Sequence, residues 1–379
     1  MCPKKLILLI ILKMIKDTFF FCCLILIIGC DPHDNLEVVS LQHSNDLDLR
    51  IFISLENADY LGRPSEIKAN KKELFLSDSG FYRITEVAQD GKMKSAYGSR
   101  GKGPGEFDAP SRFWVFDEYV MVYDYNNQKF IAYDRSGNVI SESVIESNPT
   151  NPYGFPPNIP ITVEAVSLTQ LLIPSRGRKG SLFAIYDIDS GDQQFCGEAI
   201  SSHVETYNYE EVNASFARGE IPPIFRNFIS LSASSSGIYS FQQTTGILEK
   251  FSLDCELIWR KNVVLDEQEK LFEEIAHKNR LAAENNKPTQ LFTYARSVEA
   301  HEDGVAILFN MPDQSPLTLY GISSDGKKMH RVDYSNLDQE EISSVGSFTI
   351  SPQLGKVFFL NSTEGVIYQG DWPVYSRIE

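Results

Sequence analysis

One short pattern is written twice near the start of this chain. Glu73-Leu-Phe-Leu-Ser-Asp78 leads to Tyr82-Arg-Ile84 and a turn at Asp90-Gly91, and Tyr119-Val-Met-Val-Tyr-Asp124 leads to Lys129-Phe-Ile-Ala-Tyr-Asp134 and a turn at Ser136-Gly137. Asp78 and Asp124 are 46 residues apart, and so are Gly91 and Gly137. Short apolar runs joined by tight polar turns are hairpin grammar. A repeat of that period built from hairpins signals one sheet per repeat, as in the blades of a β-propeller.

Looser copies follow. They start at Gln170-Leu-Leu-Ile-Pro174, Gly237-Ile-Tyr-Ser-Phe-Gln242, Gly304-Val-Ala-Ile-Leu-Phe309 and Gly355-Lys-Val-Phe-Phe-Leu-Asn361. Two stretches break the rhythm. Residues 201–226 are polar and read as a long loop, whereas 265–287 read as a helix with a capping-box-like Asp266/Glu269 pair and a stop at Pro288. Discounting these two insertions leaves room for six units of roughly 47 residues. The expected fold is therefore all-β: a six-bladed β-propeller of four-stranded antiparallel blades over 47–379, with one helical insertion. Residues 47–55 alternate, with Leu47, Leu49, Ile51, Ile53 and Leu55 on one face, which reads as a strand. A ring of sheets must be closed to remove its last free edge, so this strand is expected to pair with the final hairpin, 356–368.

The N-terminus is different in kind. Lys4 and Lys5 precede an apolar run at 6–12, and a second run at 19–28 ends at Gly29-Cys30. A basic start, an apolar stretch and a small residue before a cut form the signal-peptide pattern. Neither run reaches the ~18–20 residues that span a bilayer, and Met14 offers a second start that leaves Lys16 as the basic region. Leu26-Ile-Ile-Gly-Cys30 resembles a bacterial lipobox, which implies a lipoprotein signal peptide (1–29), acylation of Cys30 and a polar tether over 30–46. An ordinary signal peptide and an uncleaved anchor are the alternatives.

Removing 1–29 leaves 31 basic against 50 acidic residues, a net charge of −19. So acidic a body repels nucleic acid and anionic headgroups; the membrane is expected to be reached through the lipid alone. Three of the six cysteines remain: Cys30, Cys196 and Cys255. The last two can pair in an oxidising compartment; two separately buried small hydrophobes is the preferred reading.

Gly98-Ser-Arg-Gly-Lys-Gly-Pro-Gly-Glu-Phe107, followed by Pro110, and the Tyr123-Asp124…Asn126-Asn127…Phe130…Tyr133-Asp134…Gly137 string resemble the six-bladed β-propeller lipoproteins of Bacteroidota, relatives of the NHL-repeat and TolB-like propellers. The resemblance implies an extracytoplasmic propeller. Some six-bladed relatives, the amidating lyases and gluconolactonase-like enzymes, hold zinc or calcium in the central channel. No such ligand set maps onto this chain. The Gly-rich run lacks the spacing of a phosphate-binding loop, and Gly101, Gly103 and Gly105 read as turn residues.

Chemical motifs are sparse. His33, His43, His203, His277, His301 and His330 form no HxH, HxxxH or HExxH pair, although His203 and His301 fall where they can reach a channel mouth. No Gly-x-Ser-x-Gly occurs, and the carboxylate pairs Glu210-Glu211, Glu273-Glu274 and Glu340-Glu341 lie in polar or helical stretches. Asp78 and Asp124 read as turn acceptors. No cofactor is expected, and calcium or zinc has no motif behind it. Candidate ligand contacts are Arg100, Lys102 and Arg112, a basic group for which a solvated loop paired with Glu106 and Asp108 is the preferred reading and an anionic ligand the alternative, and the aromatics Tyr207 and Tyr209. The expected function is a lipid-anchored, monomeric binding or scaffold module of the cell envelope, taking a protein or glycan partner. The alternative is a metal-dependent lyase or lactonase working in the channel.

Overall fold

A computed structural model describes residues 39–43, 46–144, 163–204, 207–285, 287–312 and 315–373. Cys30 and the signal region lie outside the described residues. The described residues form one compact unit that holds six sheets of four or five strands in chain order, and a two-stranded parallel sheet of Ser99–Arg100 with Glu106–Phe107 in the link after the first of them. Blade 1 spans Pro64–Asn70 to Met93–Tyr97 and blade 2 Pro110–Val115 to Val139–Val144. Blade 3 spans Glu164–Ala165 to Gln193–Cys196, and blade 4 Ile229–Ser234 to Leu257–Asn262. Blade 5 runs from Ala295–His301 to Lys328–Tyr334. Blade 6 takes three strands from Val345–Ser351, Lys356–Asn361 and Val366–Asp371, and its fourth from Arg50–Ser54.

That fourth strand is the closing strand expected from the alternating 47–55 segment. Arg50 pairs with Gln369 and Ser54 with Val366 in an antiparallel ladder. The alternation is interrupted, however. A register shift between Ile51 and Ile53 leaves Ile51 59% exposed while Ile53 is fully buried. A bulge of this kind turns one side chain to the opposite face. Just before it, Ser40–His43 adds to blade 5 as a parallel fifth strand, in register with 328–331, so part of the polar tether is built into a sheet.

Six apolar clusters hold the ring, one between each pair of neighbouring blades. Phe75, Ile84 and Tyr97 of blade 1 meet Phe113, Val122 and Ile131 of blade 2. Phe358, Leu360 and Ile367 of blade 6 meet Ile67, Leu74 and Leu76 of blade 1, which seals the circle.

The repeat has a physical lock. Buried Asp78 accepts from the backbone N–H groups of Gly62 (2.7 Å), Arg63 (2.8 Å) and Gly80 (2.8 Å). Asp124 accepts from Asp108 and Ala109, both at 3.0 Å. Each aspartate therefore ties its own strand end to the loop that brings the chain into the blade, as well as to the turn that follows. In the Gly-rich link, Gly105 has φ 70° and faces Val139 so closely that a Cβ would lie 2.6 Å from it. Gly103 needs no positive φ; its N–H donates to Glu106 at 2.9 Å.

Two expectations change. The 201–226 stretch is not all loop: helix α1 (Tyr209–Arg218) starts at Asn208, whose side chain accepts from the N–H groups of Glu210 and Glu211. Helix α2 (Asp266–Glu284) is present, but Gln268 rather than Glu269 closes its first turn, accepting from Leu265 N at 2.9 Å. A short helix, α3 (Gln339–Ser344), precedes blade 6.

Cys196 and Cys255 form a disulfide, with Cα atoms 5.5 Å apart, so they are not two separate hydrophobes. Cys196 ends the outer strand of blade 3, and Cys255 lies in the turn before the outer strand of blade 4. The ring places them together across 59 residues of sequence. Closing a loop of that length removes about 4 kcal/mol of unfolded-state entropy. Replacing Cys255 with serine is therefore expected to lower stability by about 2–4 kcal/mol, measured by urea unfolding with and without reductant. The variant should show no further loss on reduction.

Candidate functional site

Antiparallel blades present two unlike ends. The links between blades, carrying the three α-helices of the described residues, lie at one end with the turns between second and third strands. The first turn of every blade lies at the other end. There the innermost strands finish around a funnel of about 500 Å³. Every blade contributes: Asn70 and Lys71, Phe116 and Asp117, Ala165 and Val166, Ser234 and Ser235, His301 and Glu302, and Pro352 and Gln353. The volume lies in the range of small-molecule sites. Phe116 stacks on Tyr119 with ring centroids 4.5 Å apart, which puts an aromatic face on the rim.

Below the funnel the innermost strands carry charge. Glu66 and Lys68 come from blade 1, Arg112 from blade 2, Glu164 from blade 3 and Glu299 from blade 5. Arg112 lies 3.4 Å from Glu66 and 3.7 Å from Glu164, while Lys68 lies 3.9 Å from Glu299. Burial works against the Lys68 charge, but Glu164, Glu299 and Glu66 outweigh it and hold its pKa above the usual lysine value. Burial pushes the Glu299 carboxyl up to about 7 and raises that of Glu164. Such a set is costly to bury and badly hurt by the loss of one member. Its chemistry is that of a proton-holding, acidic floor.

Residues 29–151 match the family model described as a 6-bladed beta-propeller. This chain is a six-bladed β-propeller. A Bacteroides fragilis protein described as exported superposes with TM-score 0.50 at 12% identity, covering 87% of this chain and 97% of its own. A Bacteroides thetaiotaomicron protein of unknown function gives TM-score 0.45 at 10% identity, over 89% of this chain and 75% of its own. Virginiamycin B lyase of Staphylococcus aureus gives 0.40 at 10% identity, over 87% and 89%. No activity is carried over from any of them. No curated protein matches the sequence.

The propeller separates the sequence candidates. Arg112 points into the ionic floor, whereas Arg100 lies in the link after blade 1 with its guanidinium 4.7 Å above the Tyr82 ring, and Lys102 is exposed in the same link. Arg112 therefore belongs to a different environment from the other two. Tyr207, just before α1, and Tyr209, its first residue, are exposed at the link end and away from the funnel. Phe225 and Phe228, their neighbours in sequence, are buried. Of the two histidines placed near a channel mouth, His301 lines the funnel, and burial holds its pKa down at about 4, so it is neutral at pH 7. His203 lies instead against the Arg176 carbonyl at 3.1 Å. Among the described residues no group of three or more His, Cys, Asp or Glu is arranged to hold a metal ion.

Sequence reasoning missed Glu66, Lys68, Glu164 and Glu299. Each sits in an innermost strand, such as Ser65-Glu-Ile-Lys68 or Val298-Glu-Ala300, where a charge interrupts an otherwise half-apolar run. That interruption was the available signal.

Proposed function

We propose that this propeller is an exported, lipid-anchored binding module of the cell envelope, and that it takes a small glycan or peptide element of its partner in the funnel. The funnel carries this reading: six blades converge on one open cavity with both polar and apolar walls and an aromatic rim. The disulfide suits an oxidising compartment, and the exported Bacteroides neighbour is in keeping with secretion. No helix among the described residues is long and apolar enough to cross a membrane. Attachment through acylated Cys30 supplies the membrane contact in this reading. Replacing Cys30 with serine is expected to abolish incorporation of labelled palmitate and to release the protein from washed membranes. Retention of both label and membrane association would refute the anchor.

The ligand site is tested on protein isolated from its own membranes. Denaturing mass spectrometry should release a small molecule from the native chain and not from Asn70→Trp, which fills the funnel from blade 1. Equal recovery from both would remove the funnel from consideration. One observation favours a second reading, catalysis in the same funnel: a carboxyl pushed up to about 7, as at Glu299, is suited to proton transfer near neutral pH. Stoichiometric zinc or calcium by elemental analysis of the same protein would favour the lyase or lactonase type.

A further inference from the structure

The ionic floor holds three carboxylates, Glu66, Glu164 and Glu299, against two cations, Lys68 and Arg112. It is one positive charge short. A low-dielectric site does not keep a surplus negative charge; it takes up a proton or a cation. Glu66 and Glu299 each keep one buried oxygen, Oε2, with no hydrogen-bond partner, and of the two only Glu299 lines the funnel. Its Oε1 accepts from Thr349 Oγ1 at 2.8 Å and Ile350 N at 2.9 Å. Its Oε2 is buried with no hydrogen-bond donor, and the nearest cation, Lys68 Nζ, stands 3.9 Å away. Glu299 is only 9% exposed, yet it lines the funnel.

The rest of the funnel agrees in sign. Glu302 and Asp117 lie at its mouth, and Lys71, the lysine beside them, is 2.9 Å from Asp117. His301 adds no positive charge at neutral pH. An anionic ligand would meet this field unfavourably, whereas a cation is drawn in.

We propose that Glu299 receives the ammonium group of the ligand that occupies the funnel, as carried by an amino sugar or the amino terminus of a short peptide. This rests on the funnel being the ligand site. Thr349 and the Ile350 N–H from blade 6 fix one oxygen, and the ammonium takes the other. Lys68 from blade 1 and Glu164 from blade 3 are the charged groups facing Glu299, with Arg112 and Glu66 beyond them; Ser232 of blade 4 faces the adjacent Ala300 N–H at 2.9 Å. The walls at Val115, Phe116, Val166 and Ile350 take the apolar body of the ligand.

Binding is then coupled to protons. Glu299 titrates near 7. The ligand arrives as an ammonium ion, the carboxyl O–H bond breaks and its proton leaves to solvent, its electron pair stays on the carboxylate, and no other covalent bond changes. About a tenth of Glu299 is ionised at pH 6 and about nine-tenths at pH 8, so affinity for an amine that stays protonated throughout should be about tenfold weaker at the lower pH.

The probes are butylammonium and its neutral counterpart butanol, read by methyl NMR at Val115, Val166 and Ile350 and by the ¹³C shift of the Glu299 carboxyl. Butylammonium is expected to saturate these signals about tenfold more tightly at pH 8 than at pH 6, while butanol does not saturate them. Glu299→Gln should lose both the tighter binding and its pH dependence. If butanol and butylammonium perturb the funnel equally, the Glu299 proposal falls and the funnel stands. If neither perturbs it, both fall. The pH comparison on the unaltered protein decides the matter even if the variant folds poorly.

Discussion

Removal of residues 39–54 is expected to abolish cooperative unfolding of the propeller, or to lower its Tm by about 10 °C or more. The segment supplies the outer strand of blade 6 and the fifth strand of blade 5. It buries Leu49 and Ile53, at roughly 1.5–3 kcal/mol each. It also contributes the ladder to 366–369 and the hydrogen bond from Leu49 N to Asn336 Oδ1 at 2.7 Å; such bonds add about 1 kcal/mol apiece. The total is a large part of a typical domain stability of 5–15 kcal/mol. The truncated protein would also present the free edge of Val366–Asp371 and should self-associate. Differential scanning calorimetry with light scattering measures both effects, and an unchanged transition would show that the ring does not depend on this closure.

The second large effect is expected at Lys68. Its replacement by methionine keeps the packing volume and removes the charge beside Glu299. Breaking a buried pair from one side costs about 3–5 kcal/mol. The pH dependence separates this from a packing defect. Glu299 has a folded-state pKa raised to about 7 from an ordinary value of 4.5. A carboxyl raised on folding contributes stability that is present at low pH and is lost as pH rises through the folded value. Without Lys68 the carboxyl rises further, so the loss extends to higher pH. The gap between the native protein and Lys68→Met should therefore be small at pH 6 and widest at pH 8, with Lys68→Arg close to native at both. Urea unfolding at the two pH values measures it; a gap of the same size at both would assign the loss to packing.

Much of the architecture was legible because its determinants are local. The 46-residue spacing between the first two blades follows from a shared acceptor: Asp78 and Asp124 end equivalent strands and serve loops one repeat apart, Gly62-Arg63 and Asp108-Ala109. The closing strand was legible from its alternation, except at Ile51, where a bulge breaks the period. The helix at Tyr209–Arg218 was missed because the stretch around it is polar, although Asn208 before Glu210-Glu211 is a start signal. The site was barely legible. Glu66 and Glu299 lie 233 residues apart in sequence and share one floor only after the ring closes. Arg112 was singled out as part of a basic run with Arg100 and Lys102, yet strand geometry turns it inward to Glu66 and Glu164. The disulfide was hidden for the same reason: its partners occupy outer positions of adjacent blades.

The most direct measurement is a methyl-resolved NMR map of the labelled domain titrated with low-mass glycan and peptide fragments of the cell envelope. The account predicts saturable shifts at Val115, Val166, Leu253 and Ile350, around the funnel. Shifts confined to Val212, Ile275 and Leu291, beside the helices at the opposite end, would contradict it and move the binding surface to the insertions.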